Sequence, residues 1–268
     1  MSTSIGCIGG GNIIRAILSG VDISKGYDRK EIGVYDISPA VREEYAAKGY
    51  VVYPSIEELV KNSRIVVVAV LPQIVRSIIP QIKSVFSDNN IFISLPAGIS
   101  NQWFYDNLGK NARVVQCVPT LPAQVGMGAY SVARAESVSD EEYNEVHRFL
   151  THSGIVVEIP ETSMDDVVPF AGAAPAYFYH MADVVVKEAV AMGLEYKAAL
   201  RLFAQTMKGS AEMLLTADET PKELEKKLLL PGAATLAAIT KMEALGFDEC
   251  LTEGIKACVA QCKNLGKM

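Results

Sequence analysis

The sequence predicts an α/β fold, a doubly wound parallel sheet followed by an all-α domain, and three observations carry that expectation. First, Ser4-Ile5-Gly6-Cys7-Ile8 is a short apolar run feeding Gly9-Gly10-Gly11, after which Ile13, Ile14, Ile17 and Leu18 recur at helical spacing. Second, Arg64 to Leu71 is a β-branched run without alternation, the mark of a strand buried on both faces of a parallel sheet. Third, no such run recurs after Ser163, where long stretches of helical period take over. A strand, a glycine turn and a helix in that order open a Rossmann-type sheet.

The remaining elements follow in order. Ile32 to Asp36 reads as a second strand ending in an acid, Pro39 opens a helix through Lys48, and Tyr50 to Val52 is a third strand. Ser55-Ile56-Glu57-Glu58 reads as a capping box for a short helix. Beyond the Arg64–Leu71 strand, Pro72 starts a helix to about Phe86, and Ile91 to Leu95 is a fifth strand leading into Pro96-Ala97-Gly98. Ser100 caps a helix containing Trp103 and Leu108, and Arg113 to Val118 is a sixth strand closed by Pro119. Two more strands, about 129–133 and 155–159, flank a helix begun by the capping box Ser139-x-x-Glu142. Strands alternating with helices across short loops mean βαβ units, so residues 1–161 are expected to form one dinucleotide-binding domain.

Residues 162–268 are expected to form the all-α dimerisation domain. Pro175 to Met192 is apolar nearly all round, and Tyr196 to Leu215 is a second such helix. Pro221 starts a short helix whose Lys222, Glu223, Glu225, Lys226 and Lys227 read as a solvated face. Leu230-Pro231-Gly232-Ala233-Ala234-Thr235 is a turn opening another helix, and Phe247 to Leu265 is the last. A helix apolar on every side is buried in a bundle or between subunits, so a homodimer or larger homo-oligomer is expected through this domain. Tyr177 and Tyr179 fall on such a helix and are expected to pack.

Half of the residues are hydrophobic, which excludes a disordered chain, and the net charge of −6 gives no electrostatic pull toward nucleic acid or anionic membranes. The longest apolar run is too short to span a bilayer. Met1-Ser2-Thr3-Ser4 leads straight into a strand, so no signal peptide is expected and the cytoplasm is the expected compartment. Five cysteines, an odd number with no C-x-x-C, argue against a disulfide framework. Cys258 and Cys262 share a helix face, as half a metal site or as packing. His147, His152 and His180 offer no metal-ligand spacing, so packing is the reading and no metal is expected.

In a doubly wound sheet the ligand sits beyond the carboxyl ends of the strands, where four loops converge. The candidate cofactor-binding residues are Gly9, Gly10, Gly11, Asn12 and Ile13 in the turn and helix start, with Asp36 and Ser38 after the second strand. Ala69, Val70, Leu71, Pro72 and Gln73 follow the fourth strand, and Ala97 and Gly98 the fifth. Gly9 can turn tightly, Gly11 lets backbone approach a pyrophosphate, and the helix start offers unpaired N–H groups. Ile14 occupies the place of the fingerprint's third small residue. Asp36 stands where a carboxylate accepts bonds from the adenosine ribose, favouring the free hydroxyls of NADH over the 2′-phosphate of NADPH. Ser38, two residues on, is the group that a phosphate would contact instead.

Six motifs in register resemble the pyrroline-5-carboxylate reductase family: I-G-G-G-N at the start, A-V-L-P-Q at 69–73, A-G-I-S at 97–100, R-V-V-Q-C-V-P at 113–119, A-G-A-A-P-A-Y at 171–177 and L-P-G-A-A-T at 230–235. The resemblance implies an NAD(P)H-dependent reductase of a cyclic imine, pyrroline-5-carboxylate to L-proline in proline biosynthesis, acting as a homodimer or an assembly of dimers. It places Thr235 as the catalytic hydroxyl bonding the substrate nitrogen, and Pro119, Thr120, Ala173, Ala174, Gly232, Ala233, Ala234 and Thr235 around the substrate. N–H groups at the helix start near Gly232 to Thr235 suit a substrate carboxylate. Read without the resemblance, Thr235 caps that helix. The family has V-K-P-Q where Leu71 stands, M-P-N-T-P-A where Thr120-Leu121 stand, and S-G-S-G-P-A-Y where Ala171, Ala173 and Ala174 stand. It has S-P-G-G where Leu230 and Ala233 stand. The substrate side thus loses polar groups, which leaves a related imine or small keto acid, or NAD(H) binding without turnover, as alternatives.

Overall fold

A computed structural model describes residues 2–265; Met1 and residues 266–268, the end of the segment expected to be helical, lie outside the described residues. The strands are β1 (Thr3–Ile8), β2 (Ile32–Tyr35), β3 (Val51–Val52), β4 (Ser63–Val68), β5 (Ile91–Ser94), β6 (Arg113–Val118), β7 (Gly128–Arg134) and β8 (Gly154–Glu158). Helices α1 (Asn12–Ser24), α2 (Pro39–Ala47), α3 (Ile56–Lys61), α4 (Pro72–Lys83), α5 (Asn101–Leu108) and α6 (Asp140–Thr151) fall between them. The sheet order is β3-β2-β1-β4-β5-β6-β7-β8. The chain starts in the middle and winds outward both ways, so the carboxyl ends of β1 and β4 form a switch point.

β4 behaves as its sequence demands: Ile65, Val66, Val67 and Val68 are all buried. It stops three residues before Leu71, where its partner β1 also ends at Ile8; Ala69 still gives its N–H to the Ile8 carbonyl at 2.8 Å. Ser100 and Ser139 cap α5 and α6 as expected, the latter with a complete capping box. Ser55 accepts the Glu58 N–H at 3.2 Å, but the reciprocal half of that box is replaced by a Glu58–Lys61 pair at 3.5 Å. The expectation of parallel pairing throughout fails at one strand. β7 runs antiparallel to β6 and parallel to β8. A parallel return needs a crossover of about a dozen residues or more. The link 119–127 holds only a short 3-10 helix, Leu121–Val125, so β7 must reverse.

The helical segment contains α7 (Ala174–Ala191), α8 (Tyr196–Thr216), α9 (Pro221–Lys226), α10 (Ala234–Ala244) and α11 (Phe247–Leu265). By packing, the chain forms two compact units: residues through Pro175 together with those from Cys258 onward, and Ala176–Ala257. The first unit therefore runs past residue 161. Glu161 accepts bonds from Asn101 and Gln116, Met164 is buried, and Lys263 of α11 pairs with Asp166 at 2.9 Å. Within the second unit, α7 exposes Phe178, Tyr179, Met181, Val184 and Val185. No helix of the described residues is long and apolar enough to cross a membrane.

Candidate dinucleotide site

The three glycines of the turn meet three different demands. Gly9 has φ +96°, and a Cβ there would lie 2.6 Å from the Ala69 carbonyl oxygen. Gly10 is packed from behind, since a Cβ would lie 2.7 Å from both Tyr45 and Val41. Gly11 has ordinary backbone angles and no atom within 4 Å of a built Cβ, so its face is open. It is also the N-cap of α1 and supplies no side-chain cap. The first N–H groups of α1 are thus left for a ligand, at the end of the helix where its dipole favours an anion. That open face and uncapped helix start fit a pyrophosphate.

Asp36 latches the turn. Its Oδ2 accepts the Gly10 N–H at 2.8 Å and its Oδ1 accepts the Ser38 N–H at 2.9 Å. Arg42 Nη1 donates to the carbonyls of Asp36 and Ile37 at 2.5 and 3.1 Å, which fixes the loop that carries the carboxylate. Each carboxylate oxygen keeps capacity for a further donor such as a ribose hydroxyl. Tyr45 completes the support: its hydroxyl donates to the Gly10 carbonyl at 3.2 Å, and burial pushes its pKa up, keeping it a donor. Arg15 of α1 pairs with Glu44 of α2 at 2.7 Å; the Arg15 and Lys48 bonds lower the Glu44 pKa from 4.5 to about 2.

These loops enclose a cleft of about 990 Å³. Of the expected cofactor residues, Gly9, Gly11, Ile13, Asp36, Ala69, Val70, Leu71, Pro72 and Ala97 line it. Gly10 and Ser38 stand behind the wall through their bonds to Asp36, Asn12 accepts from Arg15 at 3.3 Å, and Gln73 is exposed outside the lining. Gly98 lines a neighbouring pocket of about 420 Å³ that shares Leu95, Pro96 and Ala97 with the cleft. Sequence reasoning missed the α4 wall, Ile74, Ser77, Ile78 and Gln81, although their spacing is that of one helix face. It also missed Ser94, Gln116 and Glu161 in the neighbouring pocket.

The expected substrate residues divide between the units. In the first, Thr120 is buried and its hydroxyl accepts the Ala129 N–H at 2.8 Å, so that oxygen serves the start of β7. Pro119 lies near the 171–174 segment: a Cβ on Gly172 would be 3.8 Å from the Pro119 carbonyl and 3.1 Å from Val118. Ala173 donates to Val168 at 2.8 Å, and Ala174 begins α7. In the second unit, Gly232 takes φ +79° and Ala233 is the N-cap of α10, without a side-chain cap. The alternative of Thr235 as helix cap is therefore corrected. Thr235 sits inside the first turn, is exposed, and its hydroxyl makes no hydrogen bond among the described residues.

A parallel-dominated sheet, an acid-latched glycine turn and an uncapped helix start opening on a cleft define a dinucleotide-dependent oxidoreductase. In keeping with that class, residues 4–98 match the family model described as NADP oxidoreductase, coenzyme F420-dependent. Residues 161–265 match the model for pyrroline-5-carboxylate reductase dimerisation. The chain is 30% identical to a pyrroline-5-carboxylate reductase of Synechocystis sp., covering 100% of both chains, and 31% identical to one of Mycobacterium tuberculosis, covering 97% of this chain and 96% of that one. A solved pyrroline-5-carboxylate reductase from Coxiella burnetii superposes with a TM-score of 0.86 at 27% identity over 99% of each chain. The chain belongs to the pyrroline-5-carboxylate reductase family.

Proposed function

We propose that this chain reduces the C=N bond of pyrroline-5-carboxylate to give L-proline, with NADH as the preferred reductant. The observation that carries the reading is the uncapped α1 start at Gly11 beside Asp36, in a chain similar end to end to reductases of that name. A bound nicotinamide dinucleotide supplies the hydride. The protein's part is placement: α1 holds the pyrophosphate, Asp36 accepts from the adenosine ribose, and the exposed apolar Ile37, Leu71 and Ile74 flank the cleft where a flat base can lie. Asp36 also opposes the charge of a 2′-phosphate, which supports the preference for NADH. Arg15, Arg42 and Ser38 lie on the elements carrying this loop and are the groups an NADPH preference would draw on.

Thr235 is assigned to the substrate. Its unbonded hydroxyl can bond the ring nitrogen, and the α10 start can hold a carboxylate. Gly232, Ala233 and Ala234 shape that start, and Pro119, Thr120, Ala173 and Ala174 contribute backbone and apolar surface rather than hydroxyls. Pro119 and Thr120 apart, the division in functional terms falls at 161/162, cofactor before it and substrate and assembly after it. Five free cysteines support a reducing, cytoplasmic setting. A second reading, reduction of a related imine, is favoured by the alanines at 171, 173, 174 and 233 where the family carries serine or glycine. Oxidation of NADH and NADPH followed with pyrroline-5-carboxylate and then with a panel of cyclic imines tests both. Turnover with none of them, despite cofactor binding, would leave a binding module instead of an enzyme.

A further inference from the structure

Ser94 ends β5, and its register partner in β6 is Gln116, so the two side chains lie side by side on one face at the carboxyl ends of the strands. Both are buried, at 3% and 8% exposure. The Ser94 hydroxyl has no hydrogen-bond partner, a costly state for a buried donor that calls for a physical reason. The Gln116 amide is oriented from behind. Its Nε2 donates at 2.8 Å to Glu161, whose carboxylate also accepts the Asn101 N–H at 2.8 Å and Asn101 Nδ2 at 3.1 Å. A carboxylate only accepts, so Gln116 must turn its NH₂ to Glu161 and keep its carbonyl oxygen for another donor. Ser94, Gln116 and Glu161 line the pocket of about 420 Å³ that continues the dinucleotide cleft through Leu95, Pro96 and Ala97.

An unspent hydroxyl donor beside an unspent carbonyl acceptor is the complement of a primary carboxamide, which offers one carbonyl and one NH₂. A carboxylate fits worse, because it would face the Gln116 oxygen and the Glu161 charge, and the Lys263 ammonium nearby is taken by Asp166 at 2.9 Å. We propose that Ser94 and Gln116, positioned by Glu161, recognise the carboxamide of the nicotinamide ring. Held there, the ring cannot rotate about its bond to the ribose, and one face is presented for hydride transfer. This assignment rests on the dinucleotide reading above.

The test is titration of the full-length protein and its Ser94→Ala variant with NADH, with ADP-ribose, which lacks the ring, and with the 3-acetylpyridine analogue, which lacks the NH₂. Ser94→Ala should weaken NADH about five- to tenfold, as loss of one desolvated hydrogen bond does, and leave ADP-ribose unchanged. The wild type should bind the acetyl analogue more weakly than NADH by a similar factor. Melting of the variant should not fall and should rise slightly, since the hydroxyl it removes is buried without a partner. An equal change for NADH and ADP-ribose, or no change for either, would overturn the proposal while leaving dinucleotide binding intact. Failure of the wild type to bind any of the three would overturn the dinucleotide reading itself.

Discussion

At the scale of residues, the glycine turn separates conformational need from functional need. Gly9→Ala should cost about 1–3 kcal/mol of stability through its φ of +96° and the carbonyl 2.6 Å from the new methyl, readable as a lower Tm. Gly11→Ala meets no protein atom and keeps an allowed backbone, so its Tm should stay put. Its methyl instead stands where phosphates approach, and NADH affinity should fall about tenfold by titration. Asp36→Ser should move the ratio of kcat/KM values toward NADPH, and a wild-type enzyme already preferring NADPH would refute the role given to Asp36. Thr235→Ala removes an exposed, unbonded hydroxyl, so kcat/KM should drop by at least about tenfold with melting unchanged. Undiminished turnover would remove Thr235 from the reaction.

At the scale of elements, α1 and α2 are joined by the Arg15–Glu44–Lys48 cluster. The Glu44 carboxyl titrates lower in the folded chain than in the unfolded one, so its contribution is present above pH 4.5 and is lost as pH falls toward about 2. Glu44→Gln should lower stability at neutral pH and flatten acid unfolding over that window by the same amount, a small one because the pair is solvent-screened, followed by circular dichroism. Elements set by local chemistry were legible in the sequence: β4 by its lack of alternation, α5 and α6 by their caps, the turn between β1 and α1 by its glycines. The direction of β7 was not written in Gly128–Arg134 at all; it lies in the shortness of the link before it. The carboxamide pocket was equally hidden. Ser94, Gln116 and Glu161 meet only through strand register and the return of the chain after β8.

At the scale of the molecule, the helical unit was legible as helical and apolar, and its exposed faces agree with its match to a dimerisation family. Phe178, Met181 and Val185 recur on one face of α7 and are all exposed in the single chain. Replacing Met181 and Val185 by glutamate should shift the protein to monomer in sedimentation, with the dinucleotide unit still folded. The cut between units was less legible, because the last turns of α11 belong with the first unit through Cys262 and the Lys263–Asp166 pair. In the language of chain topology, Ala176–Ala257 is an insertion, entered and left from the same host. The host is therefore a split domain whose two parts are far apart in sequence. It is completed only once the stretch from Cys258 has been made, so nascent chains stalled before Cys258 should hold the dinucleotide unit short of its native packing.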